Sequence, residues 1–266
     1  MPVFIVKLWK HRYYSYALLK NELKGRYTRS YLGILWLIIQ PLIQVAVYAF
    51  IFSTVFLARL PGMSQTPGAY AIYLLAGIAA WTLLSEIITR NTTVFTRHAN
   101  LIKKYPVPKI SLFIAATGEA LFNNLILLIL VIILSLILNP LFQVSTLIYL
   151  LPVFFLIVLL AFSLGVLLAT LNVFIRDIEQ AVSVVLQLLF WLTPIVYTLN
   201  VLPEKYQILI HLNPASAFAG AYQNIFVYNH APDWNALLYP LLLSLLIIMI
   251  VNIIYNKAKH ELVDVL

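Results

Sequence analysis

Cysteine is absent from the 266 residues. No disulfide framework, cysteine-ligated zinc or thiol nucleophile is therefore available, and nothing marks the redox compartment. Charge is scarce as well: Asp, Glu, Lys and Arg make up 10% of the chain, where soluble domains carry about 25%. With 63% hydrophobic residues and a mean hydropathy of +0.96, a soluble globular fold is excluded. So is an extended disordered chain, which needs low hydrophobicity. No Gly is followed by Lys, so no P-loop binds ATP here. No H-E-x-x-H run occurs, and His11, His98, His211, His230 and His260 are scattered without metal-ligand spacing. Asp177 and Glu179, in Arg176-Asp177-Ile178-Glu179, read as a solvated loop with an Arg–Asp pair rather than a metal site. No catalytic constellation emerges. The first thirty residues lack the apolar core of a cleavable secretory signal.

What is present is long apolar runs. Six are read as membrane spans: Gly33–Leu57, Tyr70–Ile88, Ser111–Leu138, Leu147–Val173, Ala181–Leu199 and Ala236–Tyr255. Each is close to the roughly 20 residues that cross a hydrocarbon core of about 30 Å. Unbroken runs of this kind exclude a transmembrane β-barrel, whose strands alternate. Lys and Arg divide unevenly between the loops. Fifteen lie before span one, between spans two and three, after span four and after span six; only Arg59 and Lys205 lie opposite. That bias predicts both termini in the cytoplasm, and an odd number of spans would scramble it. The formal charge of +8 is thus an orientation signal beside spans, not a nucleic-acid surface.

Between the spans, three segments stand out. Met1–Lys24 mixes Phe4, Leu8, Trp9, Tyr13, Tyr14 and Tyr16 with Lys and Arg. It suits a helix lying at the cytoplasmic lipid interface, or equally a polybasic orientation tail. The loop Val94–Lys109 sets Arg97, His98, Asn100, Lys103, Lys104 and Tyr105 beside Val94, Phe95, Leu101 and Ile102, and Pro106 and Pro108 close it. A short amphipathic cytoplasmic helix is predicted, fit either to dock in a groove of a soluble partner or to rest on anionic lipid. Residues 200–235 carry Pro203, Pro214 and Pro232, too broken for a span, and predict short external or re-entrant helices. No internal repeat is visible, so residues 1–266 form one domain.

Two polar stripes run within spans. In span five, Gln180, Ser183, Gln187, Phe190, Pro194 and Tyr197 recur at spacings of three and four; in span one, Trp36, Gln40, Gln44, Tyr48 and Phe52 recur at steps of four. Each set shares a helix face. Together they line a polar and aromatic conduit, or else glue helices together. Sugars suit such a lining: aromatic rings take their C–H faces, and Gln, Ser and Tyr groups take their hydroxyl edges. Glu86 and Arg90, four apart, can pair on one helix face. Glu119 with Asn123 either faces the conduit or holds a neighbouring helix.

The run Leu23-Lys24-Gly25-Arg26-Tyr27-Thr28-Arg29-Ser30-Tyr31-Leu32-Gly33-Ile34-Leu35-Trp36, then Gln40-Pro41, resembles the entry to span one in ABC-2 type permeases. The branch most similar exports O-antigen, capsule and teichoic-acid polysaccharides. Gly77 with Trp81, Asn100-Leu101-Ile102-Lys103-Lys104 with Pro106, Asn172, Arg176-Asp177, Pro194 with Tyr197, Pro203 and Asn213-Pro214 follow that family's landmarks in order. The resemblance spans about residues 20–256. It implies an all-α integral membrane fold of six transmembrane helices, with an N-terminal interface helix (1–30), a cytoplasmic coupling loop (94–109) and external gate helices between helices five and six (200–235).

By the same resemblance the subunit is a homodimer that rests on two copies of a separate P-loop ATPase. That partner binds ATP and Mg, leaving no cofactor in this chain. Gln40, Gln44, Tyr48, Gln187, Phe190 and Tyr197 are expected to line the channel. Arg97, His98, Leu101, Lys103, Lys104, Arg176 and Asp177 are expected to meet the ATPase. The expected protein is a multi-pass bacterial inner-membrane permease exporting a lipid-linked polysaccharide. An exporter of drugs or lipids, or a membrane enzyme that processes glycans, remains the alternative.

Overall fold

A computed structural model describes residues 12–27, 31–51, 68–105, 107–140, 142–199 and 203–258. No strand occurs among them. The N-terminal helix α1 is Arg12–Tyr27. A 3₁₀ turn, Gly33–Leu35, leads into α2, Trp36–Phe50. Then follow α3, Ala69–Thr92, and the short α4, Val94–Arg97, and α5, Ala99–Lys104. Next come α6, Lys109–Leu138, and α7, Leu150–Phe174, the latter preceded by a 3₁₀ turn at Val144–Tyr149. The last third holds α8, Ile178–Trp191, α9, Glu204–His211, α10, Pro214–Gln223, a π turn at Asn224–Tyr228, and α11, Trp234–Ala258.

Four helices are long and apolar enough to cross a membrane: α3, α6, α7 with its 3₁₀ lead-in, and α11. The apolar helices α2 and α8 are shorter. The chain is an all-α membrane protein. Part of the expected interface helix, residues 1–11 and 28–30, and the end of span one beyond residue 51 lie outside the described residues.

The bundle is organised around α3. Of its apolar stretch 78% is buried, against 22–33% in the other three long helices. Ala76, Gly77, Ala79 and Ala80 are what permit this, because small residues let neighbouring backbones approach closely. At Gly165 of α7 an added Cβ would stand 2.5 Å from the Cβ of Asn91, so α3 and α7 nearly touch there. A second, smaller core sits under the short helices, where Phe95 meets Phe113 edge-on at 5.2 Å and Phe113 meets Phe162 at 6.1 Å. Along its length α1 packs against α6, with Leu19 seated on Gly118.

Two expectations need correction. Span five does not run helically from Ala181 to Leu199: α8 ends at Trp191, and its 14 residues rise only about 21 Å. Pro194 is the cause, since proline lacks an N–H and disfavours helix at the residue before it. The loop 94–109 holds two short helices rather than one amphipathic helix. The chain bends at His98 (φ −104°, ψ 17°), and Val94, Phe95 and Ile102 turn into the smaller core. Residues 204–228 do form short helices; Asn213 accepts from the N–H of Ala215 at 3.0 Å and Pro214 takes the first turn of α10.

Candidate functional site

The C-terminal end of α3 carries Glu86 and Arg90 one turn apart. Arg90 donates to Glu86 Oε1 from Nε at 2.9 Å and from Nη2 at 2.5 Å. Its Nη1 reaches Glu119 Oε2 of α6 at 2.5 Å, and Asn123, a turn further along α6, donates to Glu86 Oε1. The side chains of Arg90 and Glu119 are 10% and 7% exposed. Glu119 and Asn123 thus hold a neighbouring helix. A buried and a half-buried carboxylate around one buried guanidinium are costly unless hydrogen-bonded, and here they are bonded across two helices. On either side of the triad the α3–α6 seam stays polar: Asn91 Nδ2 donates to Thr117 Oγ1 at 3.0 Å toward the loop end, and Asn124 Nδ2 to the Ala79 carbonyl at 2.8 Å on the other side.

A cleft of about 650 Å³ opens beside this seam, lined by Glu22, Ser85, Glu86, Thr89, Arg90, Arg97, His98 and Glu119. Four elements therefore converge on it: α1, α3, α6 and the α4–α5 pair. His98 Nε2 lies 3.0 Å from Glu22 Oε1 and Nδ1 lies 2.9 Å from the Val94 carbonyl. The hydrogen bond to the Glu22 carboxylate is the main reason the imidazole is held above its usual range; burial and the Arg97 charge oppose it.

Of the residues expected to meet an ATPase, Arg97, Lys103, Lys104, Arg176 and Asp177 are exposed, Leu101 is half-buried, and His98 turns into the cleft. No ion pair joins Arg176 to Asp177 among the described residues. Asn172 links the same end of the bundle to α8. Its Nδ2 donates to the Thr92 carbonyl at 3.3 Å, and its Oδ1 accepts from the N–H of Glu179 at 3.1 Å.

Of the expected channel residues, the structure brings Tyr48 of α2 and Phe190 of α8 together, with ring centroids 6.4 Å apart. Trp81 of α3 joins them at 5.7 Å from Phe190, and Trp191 at 5.4 Å. Gln44 Nε2 points at the Tyr48 hydroxyl, 3.5 Å away. Gln40 and Gln187 are exposed on the outer faces of α2 and α8. Tyr197 leaves this group: beyond the end of α8, its hydroxyl donates back to the Trp191 carbonyl at 3.0 Å.

The unwound stretch after α8 is braced by polar groups of which only Asn213 stood out in the sequence. Tyr70 donates to the Val196 carbonyl at 2.7 Å, and Tyr73 to those of Tyr197 and Pro194 at 3.1 and 3.2 Å. Gln223 of α10 donates to the Pro194 carbonyl at 3.0 Å, and Asn213 to Thr193 Oγ1 at 2.9 Å. The signal for them was Tyr70 and Tyr73 at helical spacing inside an apolar run.

A largely buried central helix, a charged seam at one end, short basic helices beside it and further apolar helices around it define a polytopic α-helical membrane protein. Residues 14–227 match the ABC-2 type transporter family, and the chain belongs to that family. It is similar to an O-antigen export system permease protein RfbA of Klebsiella pneumoniae, 27% identical over 251 residues that cover 92% of each chain. A protein of the same name from Myxococcus xanthus is 26% identical over 97% of each chain. The polysialic acid transport protein KpsM of Escherichia coli is 23% identical over 74% of this chain and 75% of its own.

Proposed function

We propose that the chain is the permease subunit of an ATP-driven exporter that moves a lipid-linked, O-antigen-like polysaccharide from the cytoplasm across the bacterial inner membrane. What carries the reading is the likeness to O-antigen export permeases along 92% of both chains. The glutamine–aromatic face of α2 and α8 supports it, because weak stacking on rings and hydrogen bonds to amides let a sugar chain slide without being trapped. Gln40 and Gln187 are exposed in one subunit while Tyr48 and Phe190 are half-buried beside them, which fits a homodimer with the conduit between copies. The charge bias of the loops supports a cytoplasmic position for α4 and α5. There Arg97, Lys103, Lys104 and the Arg176–Asp177 loop offer a charged docking surface to a separate ATPase, which binds ATP and Mg.

The test is a double charge reversal, Lys103→Glu with Lys104→Glu, in cells that export the polymer. Export should fall by about tenfold or more, the effect of losing some 1.4 kcal/mol of docking energy. The chain should still insert, and the ATPase should no longer co-purify with it. Undiminished export and co-purification would remove these lysines from the docking surface. Export with no ATPase present would end the whole reading.

A further inference from the structure

The contact between Glu22 and His98 belongs neither to the conduit face nor to the outward docking surface. Glu22 lies on α1, whereas His98 is the bend between α4 and α5. Their side chains are 23% and 18% exposed, so water only partly screens the pair. The two ring nitrogens face two acceptors, the Glu22 carboxylate at 3.0 Å and the Val94 carbonyl at 2.9 Å. A neutral imidazole has one N–H and can satisfy one of them; the imidazolium satisfies both. The other charged groups around the cleft are Glu86 and Arg90 from α3, Arg97 from α4 and Glu119 from α6. Arg90 is engaged by Glu86 and Glu119. Arg97 therefore opposes a proton on His98, and Glu22, in direct contact, favours it.

We propose that Glu22 and His98 form a proton-dependent clasp that fixes the N-terminal helix to the two short helices, so that movement of α4 and α5 reaches α1 only while His98 is protonated. The mechanical consequence rests on α4 and α5 being the ATPase-facing element; the clasp itself does not. Because the folded imidazole titrates above its ordinary range, its contribution is complete below the value of free imidazole. It disappears as pH climbs through the raised folded value.

The chain has no cysteine, so spin labels can be placed on it alone. Labels at the exposed positions Lys20→Cys and Asn100→Cys report the α1–α5 distance in the full chain in lipid nanodiscs. The expected result is a narrow distance distribution at about pH 6 that broadens by about pH 9. Glu22→Gln should be broad at both, and His98→Arg, whose charge does not titrate, narrow at both. In the unlabelled, ¹³C-histidine chain, Glu22→Gln should lower the NMR midpoint of His98. A midpoint indifferent to Glu22→Gln, or a distance indifferent to both pH and Glu22→Gln, overturns the clasp. The Lys103 and Lys104 reversal should leave both readouts unchanged, so failure of the clasp is separable from failure of the transport reading.

Discussion

At Gly165 a single methyl group is excluded. A Cβ there would fall 2.5 Å from that of Asn91, a backbone-anchored atom that cannot swing away. Gly165→Ala should force α3 and α7 apart at a cost of about 1–3 kcal/mol, read as a lower thermal midpoint of the full chain in detergent. Gly77→Ala should cost less, because the atoms it would meet, at 3.1 Å, are the tips of Gln223 and Ile195. Equal midpoints for the two variants would contradict this packing. Arg90 makes the opposite argument from charge. Arg90→Gln leaves two carboxylates sharing a buried seam and should destabilise by about 3–5 kcal/mol. Adding Glu119→Gln should recover part of that loss, and strict additivity in the double-mutant cycle would deny that the two residues interact. The Glu86–Arg90 pair was readable from its spacing of four residues. Its extension to Glu119 and Asn123 was not, because the register between α3 and α6 is a long-range choice that no local spacing encodes. Gly165 gave no signal either, since its neighbour in space lies 74 residues away in the sequence.

Elements answer to backbone chemistry as much as to hydropathy. The run Ala181–Leu199 is apolar enough to read as a span, yet Pro194 ends it, and the carbonyls it frees must find donors away from water. Tyr70, Tyr73 and Gln223 are those donors. Tyr73→Phe should leave the carbonyls of Pro194 and Tyr197 short of a partner at about 1–3 kcal/mol. Hydrogen exchange should then speed up over residues 192–199 while α3 itself stays protected. Unchanged exchange in that stretch would mean that Gln223 and Tyr70 suffice to hold it. The same limit explains the bend at His98. A loop of a few residues has too little periodicity to show whether it is one helix or two. The decision is made by Phe95 and Ile102, which must reach the smaller core from either side of the bend. Where the apolar run was long, as in the runs that became α3, α6, α7 and α11, hydropathy and length alone were enough to place a helix.

For the whole molecule, the surface of one subunit is not uniform, and this gives the sharpest test of a conduit. The outer face of α11 shows Leu242, Leu245, Leu246 and Met249, which suit hydrocarbon. The outer faces of α2 and α8 instead expose Gln40 and Gln187 among Ile43, Val47, Val184 and Leu188. A primary amide facing lipid without a partner costs several kcal/mol. On the proposed function these two faces are expected to meet water, sugar or a second copy, and α11 to meet lipid. The absence of native cysteine makes the distinction measurable. In the assembled transporter in membranes, Gln40→Cys and Gln187→Cys should react with a water-soluble maleimide. Leu245→Cys and Met249→Cys should react at least about tenfold more slowly, because the reactive thiolate scarcely forms in hydrocarbon. A polymer stalled in the conduit should protect Gln40→Cys and Gln187→Cys and leave the other pair as they were. If all four thiols were equally inert with and without polymer, α2 and α8 would be ordinary lipid-facing helices. Their glutamines would then be explained by helix contacts, and the route of the polysaccharide would have to be sought elsewhere in the assembly.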